Sequence, residues 1–172
     1  MKVEIPDTFK GRYKSDDEKA GDKFAMDALN KLNNYKGSIA AFISEPILSC
    51  AGQVPLAKNY LKNLYPKIRE MGGVCISDEV QTGFGRLGKY FWGYEFQEVI
   101  PDIVVIGKPM GNGHPMGAVI TTSEIAKSFE KGIEFFSSFG GNPVSCKIGL
   151  SVLNIIKSEN LQKTLRRGWR LL

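Results

Sequence analysis

A single histidine, three cysteines without a Cys-x-x-Cys pair, and no apolar run long enough to cross a bilayer remove several chemistries from consideration. With His114 alone, a histidine-built zinc centre or a Ser-His-Asp triad has almost nothing to work with. Cys50, Cys75 and Cys146 are odd in number and widely spaced, so they read as reduced, structural thiols. The opening MKVEIPDTFKGRYKSDDEK lacks the apolar centre of a signal peptide, making the cytoplasm the expected address, with no membrane partner. Net charge is +5, yet the basic residues are scattered apart from Arg166, Arg167 and Arg170. Without a basic stripe interleaved with aromatics, no nucleic-acid partner is expected.

What is present is ordinary globular composition, 42% hydrophobic and 24% charged in 172 residues, enough for one domain with a core. The acids after Ser15 suit a helix start, and Phe24, Ala28, Leu29 and Leu32 carry its apolar stripe. Ile39–Ile43 reads as a short strand running into Glu45, and residues 47–55 as a loop. Leu56, Tyr60, Leu61, Leu64, Ile68 and Met71 mark a second helix, with Pro66 predicting a kink or break near Tyr65. Val74–Ser77 and Ile103–Ile106 have the composition of strands covered on both faces of a parallel sheet, which resumes over Val99–Ile106. Ala118–Thr122 is one more strand, followed by a helix capped by Ser123. Asn142 and Pro143 start another helix, whose stripe is Val144, Ile148, Val152 and Ile155. Strands alternating with helices give an α/β fold with a mostly parallel sheet flanked by helices.

Two residues invite a chemical explanation. Asp78 and Lys108 lie just past the ends of predicted strands, and ligands of open α/β sheets bind at those carboxyl ends. A lysine desolvated there would move toward the neutral amine that a Schiff base requires, whereas a lysine reaching solvent would have no such role. An aspartate at the neighbouring strand end can hold a protonated pyridine nitrogen, or simply pair with the lysine as a salt bridge. The letters alone leave both accounts open. Gly83, Gly85 and Gly88 spell G-x-G-x-x-G, but KYFWGYEF follows where a dinucleotide site needs an amphipathic helix, so a plain glycine-rich loop is expected. The aromatic run from Tyr90 to Phe96 is expected to pack over a core edge.

ISDEVQTGFGR, PDIVVIGKPMGNGHPMGAVITT and SSFGGNPVSC, in this order, resemble the signature segments of class III, ornithine-type aminotransferases. These are pyridoxal-phosphate enzymes of fold type I. GKPMGNGHP with FGGNPVSC is most similar to the subgroup holding alanine–glyoxylate-type aminotransferases and phospholyases of ethanolamine phosphate. The resemblance implies that Lys108 bonds to pyridoxal 5'-phosphate and moves the substrate proton. It further implies that Asp78 binds the ring nitrogen, Val80 packs on one ring face and Gln81 approaches the phenolic oxygen. Glu45 would gate the substrate carboxylate. Ser138, standing where the family usually has threonine, would reach the cofactor phosphate across a homodimer interface.

The same resemblance implies a partial domain. Residues 1–172 read as the central part of the large domain, with no Ser-Gly-x-Glu-Ala-type phosphate cup upstream and no C-terminal small domain. The terminal RRGWRLL also departs from the family pattern. Weak cofactor binding by the chain alone and a dimeric or poorly soluble state are therefore expected. The implied reaction is amino transfer from an amino donor to a keto acid. The alternatives are phosphate elimination from a phospho-amine, and an inactive, partner-binding remnant.

Overall fold

The computed structural model describes residues 1–35, 37–50 and 52–168. Arg170 and the other residues of the final segment lie outside these. In chain order the elements are α1 (Ala20–Asn33), β1 (Ala41–Ser44), β2 (Ile47–Leu48), β3 (Val54–Pro55), α2 (Tyr60–Glu70), β4 (Val74–Asp78), β5 (Ile103–Ile106), β6 (Ala118–Thr121), α3 (Ser123–Glu130), α4 (Pro143–Ser158) and α5 (Leu161–Gly168). The four-stranded sheet has the order β1-β4-β5-β6. β1, β4 and β5 are parallel, and β6 joins antiparallel to β5. The expected α/β class with a mostly parallel sheet is borne out.

The cover on the sheet is one-sided, which corrects the expectation of strands buried on both faces. Cys75 and Ser77 are fully buried on the face that meets α2, whereas Val74, Ile76 and Asp78 on the other face are half-buried. On that open face Ile43 and Val119 are 60% and 63% exposed. Side chains alternate along a strand, so each strand contributes one set to each face.

The main core joins α1 to α2 and the sheet through Phe24, Ala28, Leu61, Leu64, Tyr65, Ile68 and Cys75. A smaller cluster sets Val104 and Ile106 against Phe84, Phe91, Trp92 and Tyr94, so the aromatic run packs at a core edge as expected. Buried Cys75 is a structural thiol whose pKa burial pushes up to about 12. Cys50 and Cys146 are free and exposed.

Several local expectations need correction. α2 passes through Pro66 without a break. The bond that proline cannot donate would reach the carbonyl of exposed Lys62, which water can serve instead. α1 starts at Ala20 rather than Ser15, β5 at Ile103 rather than Val99, and the 47–55 loop contains the β2–β3 pair. The cap of α3 is Thr122, whose Oγ1 accepts from Ile125 N, not Ser123. In α4 the exposed residues include Val144 and Ile155, while the contact face carries Gly149 and Ile156. A Cβ on Gly149 would stand 3.0 Å from Met116 Cε.

Candidate active site

The carboxyl ends of β1, β4 and β5 lie side by side: Glu45 follows β1, Asp78 is the last residue of β4, and Lys108 stands two residues past β5. Ser44 pairs with Ser77, placing Glu45 beside the end of β4. Asp78 pairs with Val105, three positions before Lys108. An acid and an amine separated in sequence are thereby brought to adjacent strand ends.

Asp78 turns onto the open face of the sheet. Its Oδ1 accepts from Val80 N at 3.1 Å, an Asx turn that reverses the chain after β4. Its Oδ2 receives no donor from the described residues, so the carboxylate keeps an acceptor for a ligand. Val80 lies next to Gly107, where an added Cβ would meet its methyls at 3.6 and 3.7 Å. Val80 therefore sits between the Asp78 turn and the residue preceding Lys108.

Lys108 opens a short 3-10 helix, Lys108–Met110, with φ of 23°. That positive φ is sparsely populated for a residue with a side chain, and strain of this kind concentrates at functional sites. The side chain is exposed, so the desolvation expected at Lys108 is not supplied by this chain's own residues. Its ammonium makes no ion pair or hydrogen bond among the described residues. An Asp78–Lys108 salt bridge is therefore absent among the described residues.

The remaining positions differ in how firmly they are held. Glu45 Oε2 accepts from Ser49 N at 3.2 Å and from Ser49 Oγ at 2.8 Å, a local turn with no arginine in it. Gln81 is half-buried in the turn after Asp78. Ser138 lies on an exposed stretch, residues 131–141, and no contact joins it to Asp78 or Lys108 among the described residues. The loop after Lys108 is tied to α4 by His114 Nε2 and Ser145 Oγ, 2.8 Å apart. Asn142 Oδ1 accepts from Ser145 N at 2.9 Å, capping that helix as the Asn-Pro pair predicted. Cavities of about 510 Å³ under β1 and about 680 Å³ beside α5 are lined by none of the candidate residues.

Sequence reasoning missed Glu79, which is completely buried. The signal was available in the alternation of β4. If Asp78 points to one face, its neighbour must point to the other, where a carboxylate needs donors.

The family model for class-III aminotransferases matches residues 1–172. The chain belongs to the class-III aminotransferase family. It is 56% identical over 126 residues to human mitochondrial alanine–glyoxylate aminotransferase 2, covering 73% of this chain and 24% of that protein. Among solved structures it resembles an Arthrobacter phospholyase in complex with phosphoethanolamine, with TM-score 0.80, 36% identity, 95% of this chain and 39% of that one. A PMP-bound aminotransferase from Vibrio fluvialis matches at TM-score 0.85 and 31% identity, over 96% of this chain and 38% of that one. The chain thus spans about a quarter of the length of the human relative.

Class-III aminotransferases use pyridoxal phosphate, and the residues present here fit that group. Asp78 has an acceptor with no donor among the described residues, the Val80 methyls lie beside Gly107, and the Lys108 amine, unpaired among those residues, stands just past the adjoining strand end.

Proposed function

We propose that the whole protein carrying this chain transfers an amino group from an amino donor to a keto acid, using pyridoxal 5'-phosphate held at Asp78 and Lys108. The observation that carries this reading is the pairing of a free Asp78 acceptor with a backbone-strained Lys108 on adjacent parallel strand ends. When bound, the cofactor supplies an aldehyde and an electron-accepting ring. Asp78 offers its unpaired carboxylate oxygen to the ring N–H and keeps that nitrogen positive. Lys108 would hold the cofactor through Nζ, and its amine would serve as the base that moves the proton from the substrate α-carbon to the cofactor C4′. Val80 supports one ring face, Gln81 donates toward the phenolic oxygen, and Glu45 acts as a gate, pairing with an arginine until a substrate carboxylate displaces it.

The chain is read as part of the large domain of such an enzyme, and a homodimer as the working assembly. Phe129, Ile133, Phe135, Phe136 and Phe139 are each more than 60% exposed, an apolar surface that favours a second copy and puts Ser138 within it. Sedimentation of a well-behaved monomer would contradict the dimer. No helix of the described residues is long and apolar enough to cross a membrane. The sequence favours a cytoplasmic address, and the mitochondrial human relative favours the organelle; cell fractionation distinguishes them.

The phospholyase reading is favoured by the Arthrobacter structure with phosphoethanolamine and by a Caenorhabditis elegans ethanolamine-phosphate phospho-lyase homolog that is 39% identical over 170 residues. Amino transfer and phosphate release are therefore assayed in parallel, each with Lys108→Ala as control. Keto-acid-dependent amino transfer lost in the variant supports the proposal. Phosphate release without amino transfer overturns it in favour of elimination, and neither activity leaves the inactive-remnant account.

A further inference from the structure

We infer that Glu79 is a positioning residue, whose buried carboxylate locks the turn presenting Asp78, Val80 and Gln81 and thereby sets the grip on the cofactor ring. This rests on the proposed pyridoxal-phosphate reading. β4 places Asp78 on the open face and sends Glu79 into the covered side, where it has no solvent exposure. Its Oε1 accepts from Ser77 Oγ at 3.0 Å and from Tyr94 N at 2.8 Å. Its Oε2 accepts from Thr82 Oγ1 at 2.6 Å and from Gly93 N at 2.7 Å. The backbone is fixed as well, since Glu79 N donates to Val105 O at 2.8 Å and Glu79 O accepts from Gly83 N at 3.0 Å. One residue thus joins β4, β5, the following loop and the start of the aromatic segment. The donors are amides and hydroxyls rather than a cation, and a buried carboxylate is tolerated only when so completely satisfied.

The surrounding sequence is shaped to this knot. A Cβ at Gly93 would stand 2.6 Å from Thr82 Oγ1 and 3.0 Å from Glu79 Oε2, so only glycine lets that amide approach. A Cβ at Gly83 would stand 3.0 Å from Trp92 Cζ3 and 3.1 Å from Glu79 O. The first glycine of the G-x-G-x-x-G run therefore serves packing around Glu79 rather than a nucleotide. Among the described residues the Asp78 carboxylate by contrast has only the Val80 amide as a partner, so its placement is inherited from the neighbouring residue. Misplacing a reacting contact by about 1 Å can cost about 100-fold in rate, which makes such an anchor consequential.

Glu79→Gln is a sharp test because each oxygen faces a backbone N–H. Whichever way a glutamine amide flips, its NH2 group meets a donor that cannot turn away. In the whole protein, freed of cofactor and titrated with pyridoxal phosphate, the lysine-dependent absorbance band and its pH midpoint are compared for wild type, Glu79→Gln, Thr82→Val and Ser77→Ala. Amide exchange at Gly93 and Tyr94 is followed in the cofactor-free protein. The expected result is cofactor binding about 10-fold weaker or worse in Glu79→Gln, the scale typical of lost supporting contacts, with a displaced pH midpoint and faster exchange at both amides. Thr82→Val and Ser77→Ala shift binding and midpoint in the same direction by less. If the variants lower only the thermal midpoint and leave affinity and pH midpoint unchanged, Glu79 is merely structural and the inference fails. Should Glu79→Gln not fold, the two hydroxyl variants decide by the same criterion. A wild type with no lysine-dependent band sinks the cofactor reading itself, whereas a normal band in every variant sinks only the role of Glu79.

Discussion

Asp102 holds β4 and β5 in the register that brings Asp78 beside Lys108, and its removal has a calculable cost. Its Oδ2 accepts from the backbone Cys75 N at 2.7 Å, and its own N donates to Cys75 O at 2.8 Å. Arg69 Nε reaches both carboxylate oxygens at 3.1 Å, and its Nη2 donates to Ile100 O at 2.6 Å. The Asp102 side chain is 22% exposed and that of Arg69 is 41% exposed, so solvent screens the ion pair. A screened pair contributes about 0.2–1 kcal/mol. The hydrogen bond from a buried amide to a charged acceptor contributes about 1.5–3 kcal/mol. Asp102→Ala should therefore cost about 3 kcal/mol, and at about 3 °C per kcal/mol for a chain of this size Tm should fall about 9 °C. Asp102→Asn can keep an acceptor for the Cys75 amide and should cost about 1 kcal/mol, as should Arg69→Ala. Urea unfolding with unchanged slopes measures all three. Arg69→Ala proving as costly as Asp102→Ala would refute the reasoning, because the surface pair and not the strand contact would then carry the energy.

Leu64→Ala in the fully buried centre of α2 should cost about 2–5 kcal/mol by the same urea assay, and a loss below about 1 kcal/mol would deny its place in the core. Cys75 makes stability pH-dependent. Below its unfolded value of 9.0 both states keep the proton, while between there and about 12 only the unfolded chain releases it, so stability falls as pH rises. The slope is about 1.4 kcal/mol per pH unit for this one proton, and Cys75→Ala should be less steep over that window; equal slopes would rule the thiol out. A thiol reagent should label Cys50 and Cys146 in the folded chain and Cys75 only on unfolding, and rapid modification of Cys75 would contradict its burial.

The fold was legible where local chemistry and tertiary packing agree. Periodicity located α1 and α2, and the Asn142-Pro143 pair marked the start of α4 because the cap is a contact between near neighbours. Pro66 misled because the helix rule counts the missing N–H but not whether water can serve the freed carbonyl. Apolar runs could not distinguish one covered face from two, since Ile43 and Val119 are the same letters whether exposed or buried. The antiparallel entry of β6 was likewise invisible, being set by the path of residues 107–117.

At the site, the strand-end positions of Asp78 and Lys108 came from the sequence, but their adjacency required the β4–β5 register. Glu79 was hidden because its donors, Gly93 and Tyr94, are backbone amides distant in sequence, and any residue type can supply an amide. Ser138 was named from resemblance alone, and within the chain its exposed position gives no contact to the other candidates.

The central claim is that Lys108 is the amine that bonds to pyridoxal phosphate. Borohydride reduction of the cofactor-loaded whole protein, followed by digestion and mass spectrometry, reads the point of attachment directly. The account predicts a reduced pyridoxyl group on the peptide containing Lys108 and none in Lys108→Ala. Attachment at another lysine, or an unmodified Lys108 peptide in a protein that binds the cofactor, would contradict it.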